Sequence, residues 1–362
     1  MMAALVSPRM ASILRGGHKA ILMKTVLLTG ITGYIAKHIA AQLLDAGYAV
    51  RGSMRSMKRV QEVNAAVAKG VTDPSVLTRL SFCELDLTKD MGWNNAAMGV
   101  DAVIHTASPF PMTPPKSESD LTGPATDGML RALKAAAEAK VERVIITSST
   151  AAISGAPLPD GKAAYDEDVW SDTESKTLSA YSKSKTLAER AAWDFVKSNA
   201  PEMKLTSINP GFVLGAPLDN EFGTSVAVIQ RILRGKDPMV PQIGFTTVDV
   251  KDVAALHVKA LTDDTSVGKR VMAVDQFLWF VDFAKLIKAE FSNRRIPTRV
   301  APNVLIKVLG LFDPAIRGII PQLGESQKSD NSRARAMLGR DFIDAKDSAV
   351  ETARYLVDKG LV

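Results

Sequence analysis

The sequence predicts an α/β fold, a doubly wound parallel sheet with helices on both faces and a smaller, interleaved C-terminal portion. Three observations lead there. From Lys24 to Pro210, short apolar runs alternate with helical patterns, the order produced when helices cross over between parallel strands. A glycine-bearing turn, "TGITGYIA", ends the first apolar run and opens the first helix. The composition is that of an ordinary globular chain, 46% hydrophobic and 23% charged over 362 residues, enough for one large domain or two ordinary ones.

"KTVLLTG" (24–30) is a buried-strand run, and the helix after it runs through Gly33 to Ala46, where Gly47 stops it. "YAVRGSM" (48–54) is the second strand, followed by a polar helix over 58–69. "LSFCELDL" (80–87) and "DAVIHTAS" (101–108) are the third and fourth strands. Residues 122–140, rich in Ala, Leu and Met, form a helix, and "RVIITSST" (143–150) is the fifth strand. Residues 179–197 lack Gly and Pro and carry Leu187, Ala188, Ala191, Ala192 and Phe195 near a 3.6-residue period, so they form a helix. "KLTSINP" (204–210) is the next strand. Beyond Pro210 the order loosens into turn-rich pieces such as "GAPLDNEFG", with helices expected at 251–261, 280–291, 302–312 and 345–359. The "VDVKDVAALHVKAL" helix and the "RVMAV" strand are expected to return to the main sheet.

Composition excludes several classes. The net charge of +6 is modest, and no basic block with interleaved aromatics is present, so nucleic-acid binding is not expected. No apolar run is long enough to span a membrane. Cys83 is the only cysteine, which rules out an intrachain disulfide and fits a reducing, cytoplasmic compartment. No H-E-x-x-H, Cys pair or carboxylate cluster calls for a metal. Residues 1–22 carry Arg9, Arg15, His18 and Lys19 without a long apolar stretch, and a second start stands at Met23. They are expected to be a disordered extension outside the fold.

The first loop places Gly30, Gly33 and Ala36 in the spacing G-x-x-G-x-x-A. Glycines there allow a tight turn and close approach of a pyrophosphate to the backbone at Thr32, Gly33, Tyr34 and Ile35. The helix start supplies free N–H groups and partial positive charge. An NAD site usually has an acid about 20 residues further on for the ribose hydroxyl. Residues 47–61 contain no Asp or Glu, but they do contain Arg51, Arg55, Lys58 and Arg59. Arg55 lies 25 residues beyond Gly30, and with Lys58 it suits the extra phosphate of NADP; a solvated basic turn is the alternative. Asp86, beside Leu87, either accepts a hydrogen bond from an adenine amine or caps the next helix. Thr106, Ala107 and Ser108 close the fourth strand at the cofactor edge, with His105 as a packing residue. Ser148 and Ser149 end the fifth strand, where ligands bind in open α/β sheets. The Ser149 hydroxyl can hold a carbonyl oxygen, although hydroxyls there also form turns.

In "AYSKSKTLAER" (180–190), Tyr181 and Lys185 are i and i+4 on one helix face. A nearby ammonium favours the phenolate form, so the pair can act as a proton-transfer device. An ordinary helix with a packed Tyr is the alternative for this window alone.

Taken in order, "TGITGYIAKHI", Asp86, "VIHTASP", "TSS", "YSKSK" and "INPG" resemble the extended short-chain dehydrogenase/reductase family over about residues 24–355. The closer likeness is to the branch of dihydroflavonol reductase, cinnamoyl-CoA reductase and aldehyde or ketone reductases. The resemblance implies a Rossmann fold. It also implies that Tyr181 is the proton donor, Lys185 its partner and holder of the nicotinamide ribose, and Ser149 the orienting hydroxyl. The Pro210, Gly211, Phe212 and Val213 backbone would then meet the nicotinamide carboxamide. Two places depart from the family. Ala125, with Asp127 after it, stands where many members have the Asn of N-x-x-G, so a relay through Asn does not carry over. Ser154 replaces an asparagine of plant dihydroflavonol reductases, so that substrate is not singled out.

The resulting expectation is an NADPH-dependent reductase of an aldehyde or ketone, monomeric or homodimeric, acting on a small-molecule carbonyl. Residues 23–211, with 247–275 returning, would bind the dinucleotide; 212–246 and 276–362 would bind substrate. The alternatives are a sugar-nucleotide epimerase or dehydratase with NAD, and a non-catalytic dinucleotide sensor or scaffold.

Overall fold

A computed structural model describes residues 24–108 and 119–362; the extension expected over 1–22 lies outside them. The strands are β1 (Thr25–Thr29), β2 (Ala49–Met54), β3 (Leu80–Glu84), β4 (Ala102–His105), β5 (Arg143–Thr147), β6 (Lys204–Pro210), β7 (Phe212–Leu214), β8 (Gly244–Asp249), β9 (Lys269–Ala273) and β10 (Gln276–Trp279). Seven form one parallel sheet in the order β3-β2-β1-β4-β5-β6-β9. The order reverses direction between β1 and β4, which opens a crevice beyond their carboxyl ends.

The helices are α1 (Tyr34–Asp45), α2 (Val60–Val67), α3 (Trp93–Ala97), α4 (Ser119–Glu138), α5 (Ala180–Asn199), α6 (Thr224–Arg234), α7 (Val250–Ala260), α8 (Phe280–Glu290), α9 (Asn303–Leu309), α10 (Pro314–Ile319), α11 (Ser332–Leu338) and α12 (Ala345–Asp358). The apolar runs work as expected for a sheet covered on both faces. In β1, Val26 and Leu28 join a core with α1 and α7, whereas Leu27 joins a second core with α3, α4 and α5. That alternation is the two-residue period of a strand.

β6 continues past Gly211 into β7, which pairs with β8 in a separate three-stranded sheet ordered β10-β8-β7. Residues 247–249 complete β8 in that small sheet. The return to the main sheet is made by α7, packed on α1, and by β9, paired with β6. Several expected elements are shorter. The third strand stops at Glu84, the fourth at His105, and the fifth at Thr147, before a single tight turn over 150–152. The helix expected over 302–312 ends at Leu309. Among the described residues, no helix is long and apolar enough to cross a membrane. No group of three or more His, Cys, Asp or Glu among them is placed to hold a metal ion.

Candidate active site

Because the seven strands are parallel, the ends of β1, β2, β3, β4, β5 and β6 lie along one edge, with the first loop at its centre. Gly30 has φ +70°, and a Cβ there would stand 2.9 Å from the Cα of Ala107. Only glycine meets both conditions cheaply. Thr29 and Ser53 hold this crossing together. The backbone N–H groups of Thr106 and Ala107 each donate to Thr29 Oγ1 at 3.2 Å, and Thr106 Oγ1 donates to the Thr29 carbonyl at 2.5 Å. Ser53 accepts from Gly30 N through Oγ at 3.2 Å and from Ile31 N through its carbonyl at 3.0 Å.

Helix α1 starts after Gly33 with no side-chain cap and no acid in its first turn. Its first N–H groups therefore have no intrahelical partner, an arrangement that can hold an anion. Thr32 and Ile35 are half-buried beside it, and Gly33 is exposed. The phenol of Tyr34 turns the other way. It is buried and donates to the Gly215 carbonyl at 2.7 Å, and burial raises its pKa well above the usual range. Only the backbone of Tyr34 is left to meet a phosphate.

The four basic residues after β1 separate by their partners. Arg51 donates to the carbonyls of Ala96 and Met98 at 2.8 and 2.9 Å. Arg59 grips Glu62 with two hydrogen bonds of 2.9 and 2.6 Å and lies 3.5 Å from Glu221. Arg55 and Lys58 are exposed, and no side-chain bond engages either within the described residues. The Asp86 carboxylate accepts from the backbone N–H and the hydroxyl of Thr88 at 2.9 and 2.8 Å, which closes a turn. It does not cap α3, whose cap is Gly92. Leu87 packs where a Cβ on Gly128 would stand 2.8 Å away, and its carbonyl accepts from Arg131. Ala125 is buried in α4, and Asp127 is exposed.

His105 is buried and kept neutral. Desolvation, with the positive charge of Lys185 second, lowers its pKa to about 3. Its Nδ1 is 2.9 Å from Thr29 Oγ1. Since that oxygen accepts two N–H groups, its own hydrogen goes to Nδ1, and His105 carries its proton on Nε2. The charge of Lys185 thus acts at the end of β4. Tyr181 and Lys185 occupy the first turns of α5, with Lys185 Nζ 6.0 Å from the Tyr181 ring centre. Ser179 caps the helix by accepting from Ser182 N at 3.0 Å. α5 packs against the 150–152 turn, which brings the helix bearing Tyr181 beside Ser149. Ser149 Oγ accepts from Ala151 N at 3.1 Å, so its hydroxyl hydrogen remains available to a substrate oxygen.

Gly211 closes the edge. Its N–H donates to the Ala273 carbonyl at 3.1 Å, and a Cβ would stand 2.2 Å from the Thr246 carbonyl oxygen. Phe212 stacks on Phe245 at 4.4 Å, and Val213 is buried in β7. The sequence reading missed Thr29, Ser53 and a set of buried groups behind Ser149: Glu189, Asn209 and Arg270. A charged residue four positions after Lys185, on the same helix face, was the available signal for Glu189.

Comparison with known proteins agrees with this architecture. Residues 26–274 match the NAD dependent epimerase/dehydratase family. An uncharacterized oxidoreductase of Schizosaccharomyces pombe is 33% identical over 355 residues, covering 93% of this chain and 98% of that protein. Cinnamoyl-CoA reductase 1 of Arabidopsis thaliana is 31% identical over 339 residues, covering 93% and 90%. The crystal structure of yeast methylglyoxal/isovaleraldehyde reductase Gre2 complexed with NADPH superposes with a TM-score of 0.77 at 26% identity, covering 93% of this chain and 100% of that one. The chain belongs to the NAD dependent epimerase/dehydratase family, within the extended short-chain dehydrogenases/reductases.

Proposed function

We propose that this oxidoreductase reduces an aldehyde or ketone to the alcohol with NADPH. The observation that carries the reading is the Tyr181–Lys185 pair in the first turns of α5, packed on the turn that follows Ser149. The residues suit the dinucleotide. The uncapped start of α1 and the Gly30 crossing accept the pyrophosphate, and the exposed Arg55 and Lys58 meet the 2′-phosphate. Thr32, Ile35, Asp86, Leu87 and the 106–108 segment surround the remainder, and the Pro210–Val213 backbone faces the carboxamide. A sugar-nucleotide epimerase would be expected to carry an acid after β2, where this chain has Arg55 and Lys58.

When bound, NADPH supplies a hydride to the carbonyl carbon. The Ser149 hydroxyl, its oxygen already held by Ala151 N, donates to the carbonyl oxygen and orients it. Tyr181 delivers a proton to that oxygen as negative charge develops there. The Lys185 ammonium stabilises the phenolate left behind, and the phenol is reprotonated from solvent. Donors aimed beforehand at the developing oxyanion need no reorganisation during the step.

Gre2 and cinnamoyl-CoA reductase are named for short aldehydes and an aromatic thioester. The reading is tested by following NADPH oxidation with methylglyoxal, isovaleraldehyde, a panel of ketones and cinnamoyl-CoA. Turnover of at least one carbonyl, abolished in Tyr181→Phe, is the expected result. NADPH binding without turnover of any of them would favour the sensor alternative.

A further inference from the structure

Behind Ser149 lies a carboxylate that the mechanism above does not use. Glu189 is on α5, four residues after Lys185, and its side chain is 0% exposed. Burial of an ionised carboxylate is tolerated only when it is paired and fully hydrogen-bonded, and here it receives donors from four places. Ser148 Oγ donates to Oε2 at 2.6 Å, and Asn209 Nδ2 donates to the same oxygen at 2.8 Å. Arg270 donates from Nε to Oε1 at 2.7 Å and from Nη2 to Oε2 at 3.3 Å. Trp193 Nε1 donates to Oε1 at 3.3 Å.

Three of these donors also fix the backbone that carries Ser149. Ser148 is its chain neighbour. Asn209 Nδ2 uses its second hydrogen on the Ser149 carbonyl at 3.2 Å. Arg270 Nη2 donates to the Ala152 carbonyl at 3.2 Å, in the turn whose Ala151 N–H sets the Ser149 hydroxyl. Arg270 is itself held, with its guanidinium 3.8 Å from the Trp170 ring centre and Nη1 on the carbonyls of Glu167 and Val169. One carboxylate thus ties the helix bearing Tyr181 and Lys185 to the end of β5, to β6 and to β9.

We propose that Glu189 is a positioning residue that fixes the Ser149 hydroxyl relative to Tyr181 and Lys185, acting through Ser148, Asn209 and Arg270. This rests on the reductase reading. Two variants of the full chain test it, each made in the wild type and in a Ser149→Ala background. Ser148→Ala removes one donor and leaves the Glu189–Arg270 pair intact, so the fold survives. Glu189→Gln places an amide nitrogen against these donors.

Turnover and KM for isovaleraldehyde, NADPH affinity and the thermal midpoint are measured for each. A misplacement of about 1 Å can cost about 10²-fold, so a smaller shift of the Ser149 hydroxyl is expected to cost about tenfold to a hundredfold. Ser148→Ala should lose kcat by that factor with KM and NADPH affinity unchanged. Its effect should vanish in the Ser149→Ala background, and its loss should not add to that of Glu189→Gln. An unchanged kcat overturns the proposal, and so does the same fold-loss with and without Ser149. A loss of activity that only tracks loss of folded protein overturns it as well. If Ser149→Ala and Tyr181→Phe both keep full turnover, the reductase reading falls and this proposal with it. If both lose turnover and Ser148→Ala does not, only the positioning role falls.

Discussion

Replacing Arg55 with alanine should remove most of the protein's preference for NADPH over NADH. Of the four basic residues after β1, Arg51 is committed to two backbone carbonyls and Arg59 to Glu62 and Glu221. Arg55 is exposed without such a commitment, so binding a 2′-phosphate breaks no existing bond and the whole gain is realised. A charge-assisted contact of this kind contributes about 1.5–3 kcal/mol, which is roughly a ten- to hundredfold change in affinity. Lys58, a hydrated point charge on a flexible stem, adds about 0.2–1 kcal/mol. Dissociation constants of NADPH and NADH, measured by fluorescence titration for wild type, Arg55→Ala, Lys58→Ala and Arg51→Ala, check the assignment. Arg55→Ala should weaken NADPH by the larger factor and leave NADH unaffected. Raising the salt concentration should shrink the wild-type preference, because both groups are solvent-exposed. Arg51→Ala should destabilise the fold while keeping the NADPH-to-NADH ratio. Equal affinities for the two cofactors in the wild type, or an unchanged ratio in Arg55→Ala, would refute the reasoning.

Three further outcomes follow from the structure. Gly30→Ala combines a positive φ with a 2.9 Å approach to Ala107. It should cost about 1–3 kcal/mol of stability and weaken NADPH binding, read by thermal melting and cofactor titration. Gly211→Ala would put a Cβ 2.2 Å from an immovable carbonyl oxygen. It should destabilise more than Gly30→Ala, and comparable melting points for the two would count against the Gly211–Thr246 contact. Finally, burial lowers the pKa of His257 and of His38 to about 4, and that of His105 to about 3. As pH falls below about 6.5 the unfolded state takes up protons that the folded state refuses. The stability these residues provide is full above that pH and is lost on the way down to their folded values, each contributing a slope of up to about 1.4 kcal/mol per pH unit. His257 donates from Nδ1 to the Val253 carbonyl and accepts from Thr147, so His257→Gln should flatten the melting-temperature profile between pH 6.5 and 4. An equally steep profile in that variant would show that other groups set it.

The main sheet was legible in the sequence because its first six strands are short runs rich in apolar residues and most lie beside a helix long enough to show its period; α3, five residues between β3 and β4, is too short to show one. Val26, Leu27 and Leu28 are all buried since both faces are covered, and such strands read as continuous apolar runs. The small sheet was not legible. β7 has three residues and follows β6 after a single glycine, too short for any period to show, and β8 and β10 find each other only in three dimensions. α6 was passed over although Val226, Ile229, Ile232 and Leu233 line its buried face, because turn-rich segments on both sides drew the reading toward loop. At the site, residue types and spacing pointed to Tyr181, Lys185, Ser149 and the glycines. They gave no hint that Arg51 and Arg59 are engaged elsewhere, that the Tyr34 phenol turns inward, or that Glu189, Asn209 and Arg270 meet behind Ser149. Each of these depends on partners 20 or more residues away in the sequence, except for the Arg59–Glu62 pair at i and i+3.

The central claim is that Tyr181, with Lys185 beside it, protonates the carbonyl oxygen. The most direct measurement is single-turnover hydride transfer from prebound NADPH to isovaleraldehyde, comparing wild type with Tyr181→Phe. The variant loses only a hydroxyl, so it should fold and bind NADPH as the wild type does. Its transfer rate should fall by about 10²–10⁴-fold, the usual contribution of a positioned acid. A folded, NADPH-saturated Tyr181→Phe that transfers hydride at the wild-type rate would contradict the account.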